Sequence, residues 1–325
     1  MINKKLNSFL LVVSALLFLL SISACSTKKN TWSRRAYHNV VCHYNVYWNG
    51  GMSMKEGQKQ LQNDVEDNYN EVLRVYNYGL KKDAAKLNPK MDRTIKKASI
   101  GIQKNSMYFG GREYIKWVRK SYLMMGQAHF YKQDYTSARR VFDYVSKEYE
   151  DYPIRFEGYL WLAKTYIQTQ RFQKAEATLN FLQSRIEESD FPASVKKEMV
   201  LVYADFYIAQ NNYYAAYPYL ERALEMGNKR DLVTRTQFIL AQINQEEGDL
   251  QAASEYYKKV INRNPNYKMD FQARINLAKS YDEGTGDSKH INKVLKKMVK
   301  DYRNKEFLDQ IYYALAEIAF KDDNK

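Results

Sequence analysis

Two cysteines, five prolines and thirteen glycines are sparse punctuation for a chain of 325 residues. An all-β chain needs a turn every ten residues or so, and such turns draw on glycine and proline. Their scarcity argues for long helices. Cysteine does not staple the fold: Cys25 closes a leader segment, which leaves Cys42 with no partner, so the structure rests on packing. No Gly-x-Ser-x-Gly elbow, His-Glu-x-x-His pair or phosphate-binding glycine loop occurs, and Gly284-Thr285-Gly286 is too short for one. We therefore expect neither a catalytic constellation nor a cofactor. His38 and Cys42 stand four apart on one helix face, but a metal site needs three or four ligands. An ordinary helix face with a buried thiol is the expectation there, with no metal.

What the chain does have is apolar and aromatic. It is 45% hydrophobic, with 29 tyrosines against 14 phenylalanines and 4 tryptophans. Tyrosine joins a large apolar body to a polar tip, which suits half-buried positions between stacked helices. The first 24 residues read as a secretory signal: Lys4 and Lys5, then an apolar run from Phe9 to Leu20, then Ile22-Ser23-Ala24 before Cys25. The run is shorter than the roughly 20 residues a spanning helix needs. A cysteine directly after such small residues specifies a bacterial lipoprotein, with Cys25 acylated and membrane attachment through two or three acyl chains. No aspartate stands directly after Cys25, and no acidic cluster follows it, which favours the periplasmic face of the outer membrane. The net charge of +14 becomes +12 once Lys4 and Lys5 are removed with the signal. Lysine pairs such as Lys81-Lys82, Lys96-Lys97 and Lys296-Lys297 are spread along the chain beside acids. They are read as solvated helix faces near an anionic membrane, and no nucleic-acid partner is expected.

Internal repeats decide the fold class. Gly126 and Ala138, Ala163 and Ala175, Ala204 and Ala216, and Ala241 and Ala253 each stand twelve residues apart. Large residues recur around them: Tyr122 and Phe142, Tyr159 and Leu179, Val200 and Leu220, Leu240 and Tyr257. This is the tetratricopeptide pattern, in which small residues let the two helices of a hairpin cross closely. Each gap holds a polar turn followed by a large residue: Gln133-Asp134-Tyr135, Gln170-Arg171-Phe172, Asn211-Asn212-Tyr213 and Gly248-Asp249-Leu250. The repeats start 37, 41 and 37 residues apart, longer than the standard unit of about 34. A fifth, degenerate unit uses Leu277, Ala278 and Tyr281, a turn over 283–287, then Ile291, Leu295 and Met298. A sixth first helix, about Lys305 to Phe320 with Leu315-Ala316 in the pair position, is cut short, so the natural chain is expected to continue past Lys325.

Residues 34–110 read as a helical region of another kind. The pattern predicts one helix from Arg34 to Trp48 ended by Asn49-Gly50-Gly51. A second is predicted from the capping box Ser53-Met54-Lys55-Glu56 to about Tyr78, and a third from Asn88-Pro89 to about Tyr108. The expected organisation is thus a signal peptide at 1–24, a lipidated linker at 25–33 and an N-terminal helical region at 34–110. A tetratricopeptide-repeat (TPR) solenoid of antiparallel helix pairs follows at 111–325, an all-α chain throughout. The working surface of such a stack is the concave side made by first helices. Helical spacing places Lys120, Gln127, Tyr131, Lys164, Asp205, Gln242 and Lys279 there, as candidate contacts to a protein partner.

The N-terminal strings carry a more specific signal. Cys25-Ser-Thr-Lys-Lys-Asn30, Arg35-Ala-Tyr-His-Asn39, Tyr44-Asn-Val-Tyr-Trp-Asn-Gly50, Lys55-Glu56-Gly57, Met91-Asp92-Arg93 and Ile102-Gln-Lys-Asn-Ser-Met107 resemble the start of the PorW/SprE lipoproteins of Bacteroidota. The resemblance runs on through Tyr122 to Tyr166. It implies a part in type IX secretion and gliding motility. The implied partners are protein components of the PorK/PorN ring and the SprA/Sov translocon, met at the periplasmic side of the outer membrane. It supplies no catalytic residue. The alternative is a barrel-assembly lipoprotein, which also carries about five such repeats but lacks the Tyr-His-Asn and Asn-Gly strings.

Overall fold

The computed structural model describes residues 26–281 and 288–323. The signal peptide, Cys25 and the turn expected at 283–287 lie outside the described residues. The described residues form two compact units, one running up to residue 65 and over 78–195, the other over 66–77 and from 196 onward. The N-terminal helical region, apart from residues 66–77, and the first two repeats thus share unit 1.

In unit 1, helix α1 (Trp32–Val41) passes through a π turn (Cys42–Tyr47) straight into α2 (Trp48–Asp64). The expected stop at Asn49-Gly50-Gly51 does not occur. Gly50 serves close approach instead: a Cβ there would sit 2.7 Å from Met124 Cε and 3.3 Å from Lys97 Cβ. Thr94 Oγ1 donates to the Gly50 carbonyl at 3.1 Å. Nor does Ser53 open a helix. It is buried inside α2, and its hydroxyl donates to the Lys90 carbonyl at 2.9 Å. Both residues face α4 (Asn88–Asn105), which starts with proline in its first turn as predicted.

The larger correction concerns the second helix, which ends at Asp64 and not near Tyr78. Residues 66–80 carry no helix, and a short α3 (Lys81–Lys86) precedes α4. Asp67, Asn68 and Asn70 favour side-chain-bonded turns over helix interior. After α4, a two-residue turn joins β1 (Tyr108–Phe109) to β2 (Arg112–Glu113). Gly110 and Gly111 have φ of 56° and 76°, the hairpin geometry that glycine adopts without strain.

The repeats fold as helix hairpins. Unit 1 holds α5 (Lys116–Tyr131) with α6 (Tyr135–Glu148), and α7 (Ile154–Gln168) with α8 (Phe172–Ser184). Unit 2 holds α9 (Ala193–Ile208), whose first turn lies at the unit boundary, and α10 (Tyr213–Glu225). The pairs α11 (Arg230–Glu246) with α12 (Leu250–Asn262) and α13 (Tyr267–Lys279) with α14 (Ser288–Lys300) follow. All seven alanines of the twelve-residue spacing are fully buried. The eighth small residue, Gly126, lies under the Phe142 ring, where a Cβ would come within 2.6 Å.

One turn design recurs. Gln133, Gln170, Asn211 and Gly248 take the left-handed conformation just past a first helix. In the first three hairpins the next amide reaches back to close the helix: Asp134 to the His129 carbonyl at 3.0 Å, Arg171 to Tyr166 at 2.9 Å, Asn212 to Tyr207 at 3.0 Å. Asp134, Asn212 and Asp249 then cap the second helix, accepting from the amides of Ser137, Ala215 and Ala252. Arg171 holds the same backbone but caps nothing. Arg171→Asp should therefore raise stability by about 1 kcal/mol, read as a higher urea midpoint. An unchanged or lower midpoint would mean that the turn is already satisfied.

Unit 2 ends in a 3-10 turn (Tyr302–Phe307) and α15 (Leu308–Asp323), so the last helix begins later than the expected Lys305. Its buried stripe is Ile311, Ala314 and Ile318, packed with Ile275, Ala278 and Leu295. The small inward residue is Ala314; Ala316 is exposed and Leu315 half-buried. Helix α14 carries Lys289, Lys293, Lys296, Lys297 and Lys300 and no acid of its own.

Candidate functional site

In unit 2 the first helices α9, α11 and α13 present Asp205, Gln242 and Lys279, each one residue past a buried alanine of its repeat. Asp205 and Gln242 hold the chain's own loop of residues 66–77. Asp205, only 2% exposed, accepts from Arg74 Nε at 3.0 Å and Nη2 at 2.6 Å, and from the Val75 amide at 3.0 Å. Gln242 accepts from the Leu73 amide at 2.9 Å through Oε1 and donates to the Glu71 carbonyl at 2.7 Å through Nε2. Leu73 and Val75 sink into the core among Val200, Ala204, Phe238 and Ile239. Tyr69 meets the Phe238 ring edge-on at 5.3 Å.

The loop is closed at its base. Asn77 Nδ2 donates to Asp67 Oδ1 at 2.8 Å and to the Glu66 carbonyl at 3.3 Å. Arg235 grips both legs: its Nη1 and Nη2 donate to the Asp67 carboxylate at 2.7 and 2.8 Å, and its Nε donates to the Arg74 carbonyl at 2.8 Å. Burial pushes the Asp67 carboxyl up, but the Arg235 bonds outweigh it and hold the group below the usual carboxylate range. Compact loops with joined ends, packed by their own side chains, are frequently functional. Beyond Tyr69 to Glu71 the groove stays open as a pocket of about 550 Å³, lined further by Gln242, Asn276, Lys279, Gln310 and Tyr313.

The other sequence-predicted residues lie in unit 1. Tyr131 is half-buried and packs with Leu61, Leu87, Met91 and Ala128, so the N-terminal region covers it. Lys164 is 4% exposed, its Nζ 4.5 Å from the Trp161 ring centre. Lys120 is half-buried with Nζ 5.1 Å from the Trp117 ring, and Gln127 is half-buried. Sequence reasoning missed the loop by reading it as helix. The signal was there: the turn-forming run Asp67-Asn68-Tyr69-Asn70, then Val72-Leu73-Arg74-Val75-Tyr76, rich in β-branched and aromatic residues.

A second surface lies on the first helices of unit 1. Tyr37, Val40, Tyr44, Trp48 and Met52 are all exposed at spacings of three or four. The buried side of the same stretch holds His38, whose Nδ1 meets Asn105 Oδ1 at 3.1 Å, and Cys42, packed with Met107, Ile115 and Val118. Burial pushes the Cys42 thiol up to about 11, despite an opposing hydrogen bond with Ser121. A thiolate is the reactive form. In a Cys25→Ser chain, Cys42 should resist maleimide near neutral pH and react only once denatured. Stoichiometric labelling of the native chain within minutes would contradict this.

Helix hairpins, small residues at the crossings and shared turns define a TPR solenoid, a fold whose repeats serve as protein-interaction scaffolds. Two tetratricopeptide-repeat family models match the chain, over residues 123–182 and 234–267. The chain is also similar to a crystal structure of a signal transduction ATPase with numerous domains (STAND) from Pyrococcus horikoshii, a protein with a tetratricopeptide repeat sensor. Identity is 17% and the TM-score 0.51, over 74% of this chain and 38% of that one. The match therefore spans well under half of the relative's length and speaks for the fold alone. No curated protein matches.

Proposed function

We propose that this chain is an outer-membrane lipoprotein, anchored through Cys25, that acts as a TPR scaffold in type IX secretion and gliding motility. It would link periplasmic ring components of the PorK/PorN kind to a translocon of the SprA/Sov kind. The observation that carries the scaffold part is the run of repeats whose first helices hold non-helical backbone through Asp205 and Gln242. The secretion part rests on the N-terminal strings. Two of these strings, far apart in sequence, meet in unit 1, where His38 Nδ1 reaches Asn105 Oδ1 at 3.1 Å. The strings leave Tyr37, Tyr44 and Trp48 at the surface. Exposed tyrosine and tryptophan are the side chains most often found anchoring protein interfaces.

The test is capture of the lipidated chain from its native membrane. Ring or translocon subunits are the expected companions. Recovery of barrel-assembly subunits without them would sink the secretion reading and favour the alternative. Lipidation is tested apart: Cys25→Ala should move the protein out of the membrane fraction.

A further inference from the structure

The loop in unit 2 raises a separate question, because its grip on the groove is of an unusual kind. A strap that served packing alone would be held by apolar burial. Here a carboxamide and a carboxylate from two successive first helices read the N–H and C=O groups of a stretch without helix or strand: Gln242 takes the Leu73 amide and Glu71 carbonyl, and Asp205 takes the Val75 amide. Such contacts are made to the main chain and name no side chain. Particular side chains are read at the base, where Arg235 holds the Asp67 carboxylate, and at the centre, in the two-pronged bond from Arg74 to Asp205. Leu73 and Val75 flank it in apolar pockets. At its centre the occupant's recognition chemistry is thus an apolar residue, an arginine and a second apolar residue.

We propose that loop 66–77 is an exchangeable internal ligand, and that a partner segment bearing an apolar-arginine-apolar centre takes its place in the groove of α9 and α11. This deepens the scaffold reading and rests on it. Three features support exchange over simple release. Asp205 is 2% exposed, and a buried carboxylate without its cation is strongly unfavourable, so the groove is stable only when some guanidinium fills it. Residues 66–77 contribute no helix or strand, so they give up no regular hydrogen-bond ladder on leaving. The open pocket beside Tyr69, Asn70 and Glu71 gives an incoming segment a place to start before the loop has left. Arginine, not lysine, is required, because only a planar fork meets both carboxylate oxygens at once.

The probe is a fluorescent peptide of residues 66–77, titrated by anisotropy against the full chain. Wild type should bind it weakly, since the tethered loop outcompetes it. A Leu73→Ala/Arg74→Ala chain should bind it at least roughly tenfold more tightly, and a peptide carrying Arg74→Ala should lose about tenfold on that variant. A variant with wild-type circular dichroism that binds no better than wild type overturns the proposal. Hydrogen exchange on the wild-type chain decides independently, and it stands if the variant does not fold. The Leu73 and Val75 amides should exchange well before those of α11; equal protection overturns the proposal whatever the variant does. Neither result bears on capture from the membrane, so the scaffold reading stands or falls separately.

Discussion

Arg74→Ala should destabilise unit 2 by about 3 kcal/mol, seen as a drop in the urea midpoint of the full chain followed by far-ultraviolet circular dichroism. The Asp205 side chain is 3% exposed and that of Arg74 35%, so the substitution strands a buried carboxylate with the Val75 amide as its remaining contact from the loop. Breaking a buried pair from one side costs more than the pair contributes, because the surviving charge keeps its desolvation penalty. The partial exposure of Arg74 places the effect at the low end of the range for such pairs. Arg74→Lys should fall between, since a point charge meets one carboxylate oxygen well and the other poorly. The double variant Arg74→Met/Asp205→Leu should recover most of the loss, as apolar side chains of similar size need no partner. If the double variant were as unstable as Arg74→Ala, the stranded charge would not be the cause.

Phe142→Ala should cost about 4 kcal/mol in the same titration. The ring is fully buried, stacks on Trp161 at 5.8 Å between centres, and lies over Gly126 at the crossing of α5 and α6. Gly126→Ala approaches the same contact from the other side. Its Cβ would meet three ring carbons at 2.6 to 3.1 Å. Overpacking of that kind costs about 1–3 kcal/mol, against about 1 kcal/mol gained by alanine over glycine in a helix. A net loss of about 1 kcal/mol is expected from that balance. In a Phe142→Leu background the sign should reverse, since Ala163 with Leu179 and Ala204 with Leu220 fill the same positions in the next two repeats. Additive behaviour of the two substitutions would contradict the contact.

The repeats were legible because their determinants are local. The twelve-residue spacing of small residues fixes the crossing of neighbouring helices, and each turn is written in three consecutive residues. The N-terminal region was less so, because glycine has two uses that sequence does not separate. Gly50 could end a helix or let two helices approach, and only the presence of Met124 and Lys97 decides for approach. The capping box at Ser53 failed likewise, its hydroxyl being taken by the distant Lys90 carbonyl. Among the candidate groove residues, Asp205 and Gln242 do hold a backbone segment, but that segment is the chain's own. Nothing local to residues 66–77 names partners more than a hundred positions away.

That distance has a consequence for how the protein is made. Leu73 waits for Gln242, 169 residues further along. At synthesis rates of about 5–20 residues per second, the loop emerges roughly 8–34 s before its groove exists. During that interval Leu73, Val75 and Tyr76 are bare, a short β-prone stretch of the kind that pairs with other chains. A chaperone acting on the nascent chain would find its target here rather than in the repeats, whose hairpins close as they appear.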